Sequence, residues 1–227
     1  MRVLAIDTAL AACSAAVLDT ERGGIVAGES LPMTRGHAEA LMPLVARVME
    51  RSGKAFADLD RVVVTTGPGS FTGLRVGISA ARGIALAAHK PVVGLSTLSA
   101  YAAPHLNADS KAPVVCAIDA RHEHVYLQVF SPDGRALTAP RLATLREAAQ
   151  AATPSPARIV GSAAQSVAAA IPKTSAAPVA VDARPAPDVA WVARLGATLP
   201  EDQSPPRPQY LHPPDAQPQH AAQLPRR

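Results

Sequence analysis

Short hydrophobic runs rich in β-branched residues open the chain and are broken by Gly, Asp and Ser. Val3 to Ile6, Ser14 to Leu18 and Ile25 to Ser30 read as three strands joined by turns at Asp19-Thr20 and Gly23-Gly24. The rhythm then becomes helical. A helix is predicted from about His37 to Ser52, where Pro43 implies either a kink or a regular start near Met42. A strand at Val62 to Thr66, a helix from Thr72 to His89, a strand at Val92 to Leu95 and a helix near Leu98 to Pro104 follow.

The opening pattern occurs twice. Val3-Leu4-Ala5-Ile6-Asp7 matches Val115-Cys116-Ala117-Ile118-Asp119 in register, Val17-Leu18 falls opposite Val129-Phe130, and Gly134 lies close to the place of Gly23 and Gly24. Self-similarity of this kind means a duplicated unit. The second copy continues as a helix near Thr144 to Ala152, a strand Arg158 to Val160 and a helix from Ser162 to Ala170, then gives way to an Ala/Pro-rich stretch. From Pro200 onward, prolines at 205, 206, 208, 213, 214, 218 and 225 exclude helix and central strand. The expected organisation is a first lobe over 1–106, a smaller second lobe over 107–199 and a Pro-rich tail over 200–227.

Residues 67 to 77 read Gly67-Pro68-Gly69-Ser70-Phe71-Thr72-Gly73-Leu74-Arg75-Val76-Gly77, a strand-to-helix turn. Gly67 and Gly69 around Pro68 can supply the positive φ of a reversing chain, and Ser70 or Thr72 can cap the helix. The segment lacks the Lys-Ser/Thr of a P-loop and the spacing of a dinucleotide fingerprint, so tight packing is the better reading of its glycines. Gly67, Pro68, Gly69 and Ser70 are therefore expected to form a structural turn.

Four motifs in order closely resemble the TsaB (YeaZ) family: Leu4-Ala5-Ile6-Asp7-Thr8, Arg35 to Pro43, the Gly67 to Arg75 string and Ile118-Asp119-Ala120-Arg121. The resemblance spans about half of the chain. It implies an α/β actin-like ATPase (ASKHA) fold with duplicated βββαβα lobes, the second reduced. It also implies a non-catalytic subunit of the machinery that places threonylcarbamoyl on the adenosine beside the anticodon of certain tRNAs. The implied partners are TsaD, the catalytic paralogue, and through it the ATPase TsaE, with tRNA met only through the complex. A homodimer is expected when the partner is absent. In the tail, Pro208-Gln209-Tyr210-Leu211-His212-Pro213-Pro214 is similar to the family's terminal motif, which usually carries Arg in place of His212.

Composition narrows the alternatives. Aromatic residues make up 3% of the chain, too few for a base-stacking RNA reader, while 48% hydrophobic residues suffice for a core of Val, Leu, Ile and Ala. The net charge of +4 is spread as scattered arginines without a basic block, a modest solvated excess. Cys13 and Cys116 sit in apolar runs as small hydrophobes and make neither a disulfide framework nor a metal site. No segment approaches a membrane span and the first apolar run is cut at Asp7, so a cytoplasmic protein is expected.

Asp7, Thr8 and Asp119 occupy positions where actin-like ATPases hold magnesium and phosphates, and are read as vestigial. The first turn, Thr8-Ala9-Leu10-Ala11-Ala12, lacks glycines for close phosphate approach, and the second puts Arg121, His122 and Glu123 where a small residue would be needed. TsaD uses two histidines four residues apart; the matching region here, Ser96-Thr97-Leu98-Ser99-Ala100, has neither, and His122 and His124 alone make a weak site. Ser70 is not in a nucleophile elbow. No cofactor is expected on this chain alone, with ATP and metal on partner subunits. A nucleotide-dependent actin-like kinase or ATPase is the alternative, and a metallopeptidase is disfavoured. The two long helices carry more apolar residues than one sheet is expected to cover. His37, Leu41, Leu44, Val45, Val48, Met49, Gly73, Gly77, Ile78 and Ala81 are accordingly expected to form a partner interface that pairs into a four-helix bundle.

Overall fold

In the computed structural model, residues 1–106, 111–201 and 204–211 are described. The first sheet contains β1 (Arg2–Asp7), β2 (Ala12–Asp19), β3 (Gly24–Pro32), β4 (Arg61–Gly67) and β5 (Val92–Ser96), in the order β3-β2-β1-β4-β5. β1 pairs antiparallel with β2 from Arg2↔Asp19 to Asp7↔Ser14 and parallel with β4. The second sheet contains β6 (Val114–Asp119), β7 (His124–Phe130), β8 (Arg141–Thr144), β9 (Arg158–Val160) and β10 (Ala180–Asp182). Its order, β10-β9-β6-β7-β8, repeats the first sheet strand for strand. The match between the runs ending at Asp7 and Asp119 is thus a duplicated topology.

Alternation explains the nearly continuous apolar strands, because both faces of the first sheet are covered. Leu4, Ile6, Val17, Val62 and Val64 face α1 (His37–Ser52) and α2 (Phe71–Ala88), while Val3, Ala5, Ala16, Leu18 and Val63 face α6 (Val189–Thr198). α3 (Thr97–Ala102) extends into a 3-10 turn, Ala103–His105, and its Leu98 and Tyr101 pack with Val114, Cys116 and Ile118 of β6. α4 (Leu145–Ala151) and α5 (Ala164–Ala170) cover the other face of the second sheet. Thr144 and Glu147 form a reciprocal capping box that starts α4.

Three sequence expectations change. α1 runs through Pro43, whose side chain is exposed, so the lost backbone donor is accommodated within the helix. β8 lies in a stretch given no element from the residues, and β10 in the Ala/Pro-rich stretch. α6 lies in the Ala/Pro-rich stretch assigned to the second lobe, yet it packs on the first sheet. Asp188 Oδ1 caps it by accepting from the Ala190 amide at 2.9 Å. At its other end, Arg61 Nη1, from the start of β4, donates to the carbonyls of Gly196 (2.9 Å) and Leu199 (2.6 Å). A buried guanidinium on those carbonyls satisfies groups that the helix itself leaves open.

The expected boundary at residue 107 and the motif positions from His212 onward lie outside the described residues. Segment 204–211 is extended, without helix or ladder strand. Among the described residues no helix is long and apolar enough to cross a membrane.

Candidate functional site: a sealed phosphate turn and an outward helix face

Asp7 ends β1 with its side chain fully buried. Its Oδ1 accepts from Thr65 Oγ1 at 2.5 Å and from the Ala9 amide at 3.2 Å, while Oδ2 is buried without a hydrogen-bond partner among the described residues. Burial raises its pKa to about 6, against the lowering effect of those two hydrogen bonds and of nearby His37. Burial thus disfavours the charged form of this carboxylate, and the α2 side of the turn leaves it no solvent contact.

The following turn is closed by α2. Thr8 Oγ1 donates to Gly73 O at 2.7 Å, and the Ser70 amide donates to Ala9 O at 2.7 Å. A Cβ on Gly69 would collide with Ala9, and one on Gly73 or Gly77 with Thr8. These glycines therefore seat α2 directly on the turn. The Ala9 amide and the Thr8 hydroxyl, two donors that could meet a phosphate, are used internally. Ser70 caps α2 as expected, accepting from the Gly73 amide at 3.3 Å. Gly67 has φ +113°, whereas Gly69 has no positive φ and is required instead for close approach.

Asp119 is exposed at the end of β6 and accepts from the Arg121 amide at 2.9 Å. Arg121, His122 and Glu123 follow with φ of 66°, 48° and 60°, a left-handed run carrying bulky side chains across the turn. The residues present do not fit a magnesium-nucleotide, since one carboxylate is sealed under α2 and the other lies beside a crowded turn. Among the described residues no group of three or more His, Cys, Asp or Glu is arranged to hold a metal ion. Cys13 and Cys116 are buried free thiols; burial, with Asp7 adding to it, pushes the Cys13 thiol up to about 11.

The expected interface is corrected by burial. His37, Leu41, Leu44, Val45, Val48 and Met49, with Gly73, Gly77, Ile78 and Ala81, all face inward, and Leu44 and Val45 are wholly inaccessible. Positions 41, 44, 45, 48 and 49 repeat at threes and fours, which is a one-sided stripe, and it meets the chain's own sheet. His37 Nε2 lies 3.0 Å from Leu10 O, tying α1 to the sealed turn. The outward faces carry other residues: Met42 (48% exposed), Pro43 and Ala46 on α1, and Phe71, Arg75, Arg82, Gly83 and Leu86 (78% exposed) on α2. Val76 and Ala80 are half-buried between the two sets. The sequence signal for this face was Met42 and Leu86, the large apolar residues off the inward stripe.

A family profile described as "TsaD: tRNA N6-adenosine threonylcarbamoyltransferase" matches residues 12–191. The tRNA threonylcarbamoyladenosine biosynthesis protein TsaB of Escherichia coli is 38% identical over 133 residues, covering 59% of this chain and 56% of that protein. A solved structure of YeaZ from Pseudomonas aeruginosa superimposes with a TM-score of 0.77 at 27% identity, covering 92% of this chain and 99% of that one. The chain belongs to the TsaB (YeaZ) family. An uncharacterized protein of Mycobacterium tuberculosis is similar over almost the whole length, 34% identical over 217 residues with 95% and 94% coverage. The match to the Escherichia coli TsaB, by contrast, spans about half of that relative's length. The fold is the α/β actin-like fold, with two sheets of one strand order.

Proposed function

We propose that this chain is an accessory, non-catalytic subunit for threonylcarbamoyl transfer to tRNA, acting in the cytoplasm by docking on a TsaD-type partner. The observation that carries the reading is the sealed turn: Asp7 is fully buried and the neighbouring donors are used by α2. A chain that has closed its phosphate turn has kept the actin-like frame for something other than nucleotide chemistry. ATP and metal then belong to partner subunits, and tRNA is met through the complex. The named relatives in tRNA threonylcarbamoyladenosine biosynthesis support the assignment of pathway.

The docking face in this reading is the outward side of α1 and α2, centred on Met42, Ala46, Ala80 and Leu86. Large apolar side chains at 48% and 78% exposure, beside Ala, Gly and Pro, give a shallow surface on which two helices of a partner can lie. A second copy of this chain could cover the same face when the partner is absent.

A paired substitution tests the reading. Leu86→Glu should leave circular dichroism and the melt unchanged yet abolish co-elution with the TsaD-type protein of the same genome. Val45→Glu should unfold the chain, because it buries an unpaired charge at a fully inaccessible position, at a cost of several kcal/mol. Full co-elution of folded Leu86→Glu would refute the docking face. Magnesium-dependent ATP hydrolysis by the isolated chain, lost in Asp7→Ala, would refute the accessory role.

A further inference from the structure

The extended segment 204–211 is seated on the body of the protein at several points. The Gln209 amide donates to Thr66 O at 2.7 Å, at the end of β4. A Cβ on Gly67 would lie 2.9 Å from Gln209 O, and one on Gly94 would lie 3.3 Å from Pro206 Cβ. Pro206 is buried. Glycine at the end of β4 and in the middle of β5 therefore lies where the tail crosses, a fitted path for a segment without regular structure of its own.

At the end of this path Tyr210 stacks on Phe71, the first residue of α2, with ring centroids 5.1 Å apart and planes at 29°. Arg75 lies one turn along, its guanidinium carbon 3.8 Å from the Phe71 centroid and its Nε donating to Tyr210 Oη at 3.0 Å. The stack leaves the rings open: Phe71 remains 45% and Tyr210 43% exposed. Arg75 has no other hydrogen bond or ion pair among the described residues, so its outer nitrogens are free for a carboxylate. Rings and guanidinium share the exposed side of α2 with Ser79, Arg82 and Leu86, spaced by threes and fours.

We propose that the tail is a built part of the partner-docking face, with Tyr210 as an aromatic anchor at its α2 N-terminal end, and that the partner meets it with an apolar pocket flanked by an acidic side chain. This rests on the reading of α1 and α2 as the docking face. Rigid aromatic and arginine side chains held in place before binding are the kind that dominate interface energetics. A protein partner fits better than RNA. The surface continuing from the rings is apolar at Val76, Ala80 and Leu86; of the exposed arginines nearby, Arg47 and Arg51 are paired with Glu29, and Glu39 and Glu50 offset Arg75 and Arg82, so the two helices present no net basic track for phosphates.

The test uses the full chain with Tyr210→Ala, Tyr210→Phe and Leu86→Glu, each checked by circular dichroism and melting. Dissociation constants are measured against the TsaD-type protein, and tRNA retention by the isolated chain is measured on filters. Tyr210→Ala should fold and bind the partner roughly tenfold or more weakly, Tyr210→Phe should bind close to wild type because the stack survives, and tRNA retention should not move. Wild-type affinity in Tyr210→Ala, with binding lost in Leu86→Glu, overturns the anchor and leaves the α2 face standing. Unchanged affinity in both variants overturns the docking face, and the anchor with it. A loss of tRNA retention in Tyr210→Ala with partner affinity intact reassigns the ring pair to RNA and also overturns the proposal.

Discussion

Replacing Asp7 by Asn distinguishes a buried structural acid from a metal-organising carboxylate. Burial raises the Asp7 pKa from 3.8 to about 6, so the native state holds this proton more tightly than the unfolded chain does. The sign follows. Below about pH 4 both states are protonated at this position and no penalty arises; as pH rises toward 6 only the unfolded chain ionises, and stability falls. The loss is about 3 kcal/mol when complete, a large part of a domain's stability. Asn keeps an acceptor for Thr65 Oγ1 and the Ala9 amide but cannot ionise. The stability of wild type minus that of Asp7→Asn should therefore decline by about 2–3 kcal/mol between pH 4 and 7, as read by urea unfolding followed by circular dichroism. Asp19, Glu29, Asp133, Glu147 and Asp182 are all held below their ordinary values, so their stabilisation begins to fade as pH falls toward 4; they are common to both proteins and cancel in the difference. A flat difference across this range would show that Asp7 ionises freely in the native protein and would refute its burial under α2. A rise in melting temperature on adding magnesium-ATP at neutral pH, absent in Asp7→Asn, would refute it from the other direction.

Two further substitutions test how the first lobe is held together. Gly77→Val should destabilise by roughly 1–3 kcal/mol in thermal or urea melts, because its Cβ would strike Thr8 and lift α2 from the sealed turn; unchanged stability would mean that α2 does not sit there. Val192→Ala on α6 should cost about 2 kcal/mol by the same measurement, since this side chain is fully buried against the first sheet, and a neutral effect would detach α6 from the lobe.

Local chemistry made much of this protein legible in one dimension. The β-branched runs ending at Asp7 and Asp119 announced two copies of one unit, and the Gly67 to Arg75 string announced a strand, a turn and a capped helix, because strand propensity, turn glycines and caps act over a few neighbouring residues. α6 was also written there, as Asp188 followed by apolar residues at 189, 192, 193 and 196, but the surrounding prolines obscured it. What only the tertiary structure decided is which way the helices face and what the glycines touch. The apolar content of α1 and α2 suggested a surface for a partner, yet the stripe from Leu41 to Met49 is taken up by the chain's own sheet, and the outward face falls to Met42 and Leu86. Gly73 and Gly77, expected in the partner interface, instead admit Thr8. The physical reason is common to these cases. Periodicity establishes that a helix has an apolar side, but whether sheet, turn or partner covers that side depends on residues far apart in the chain meeting in space, as Thr8 meets Gly73 and Phe71 meets Tyr210.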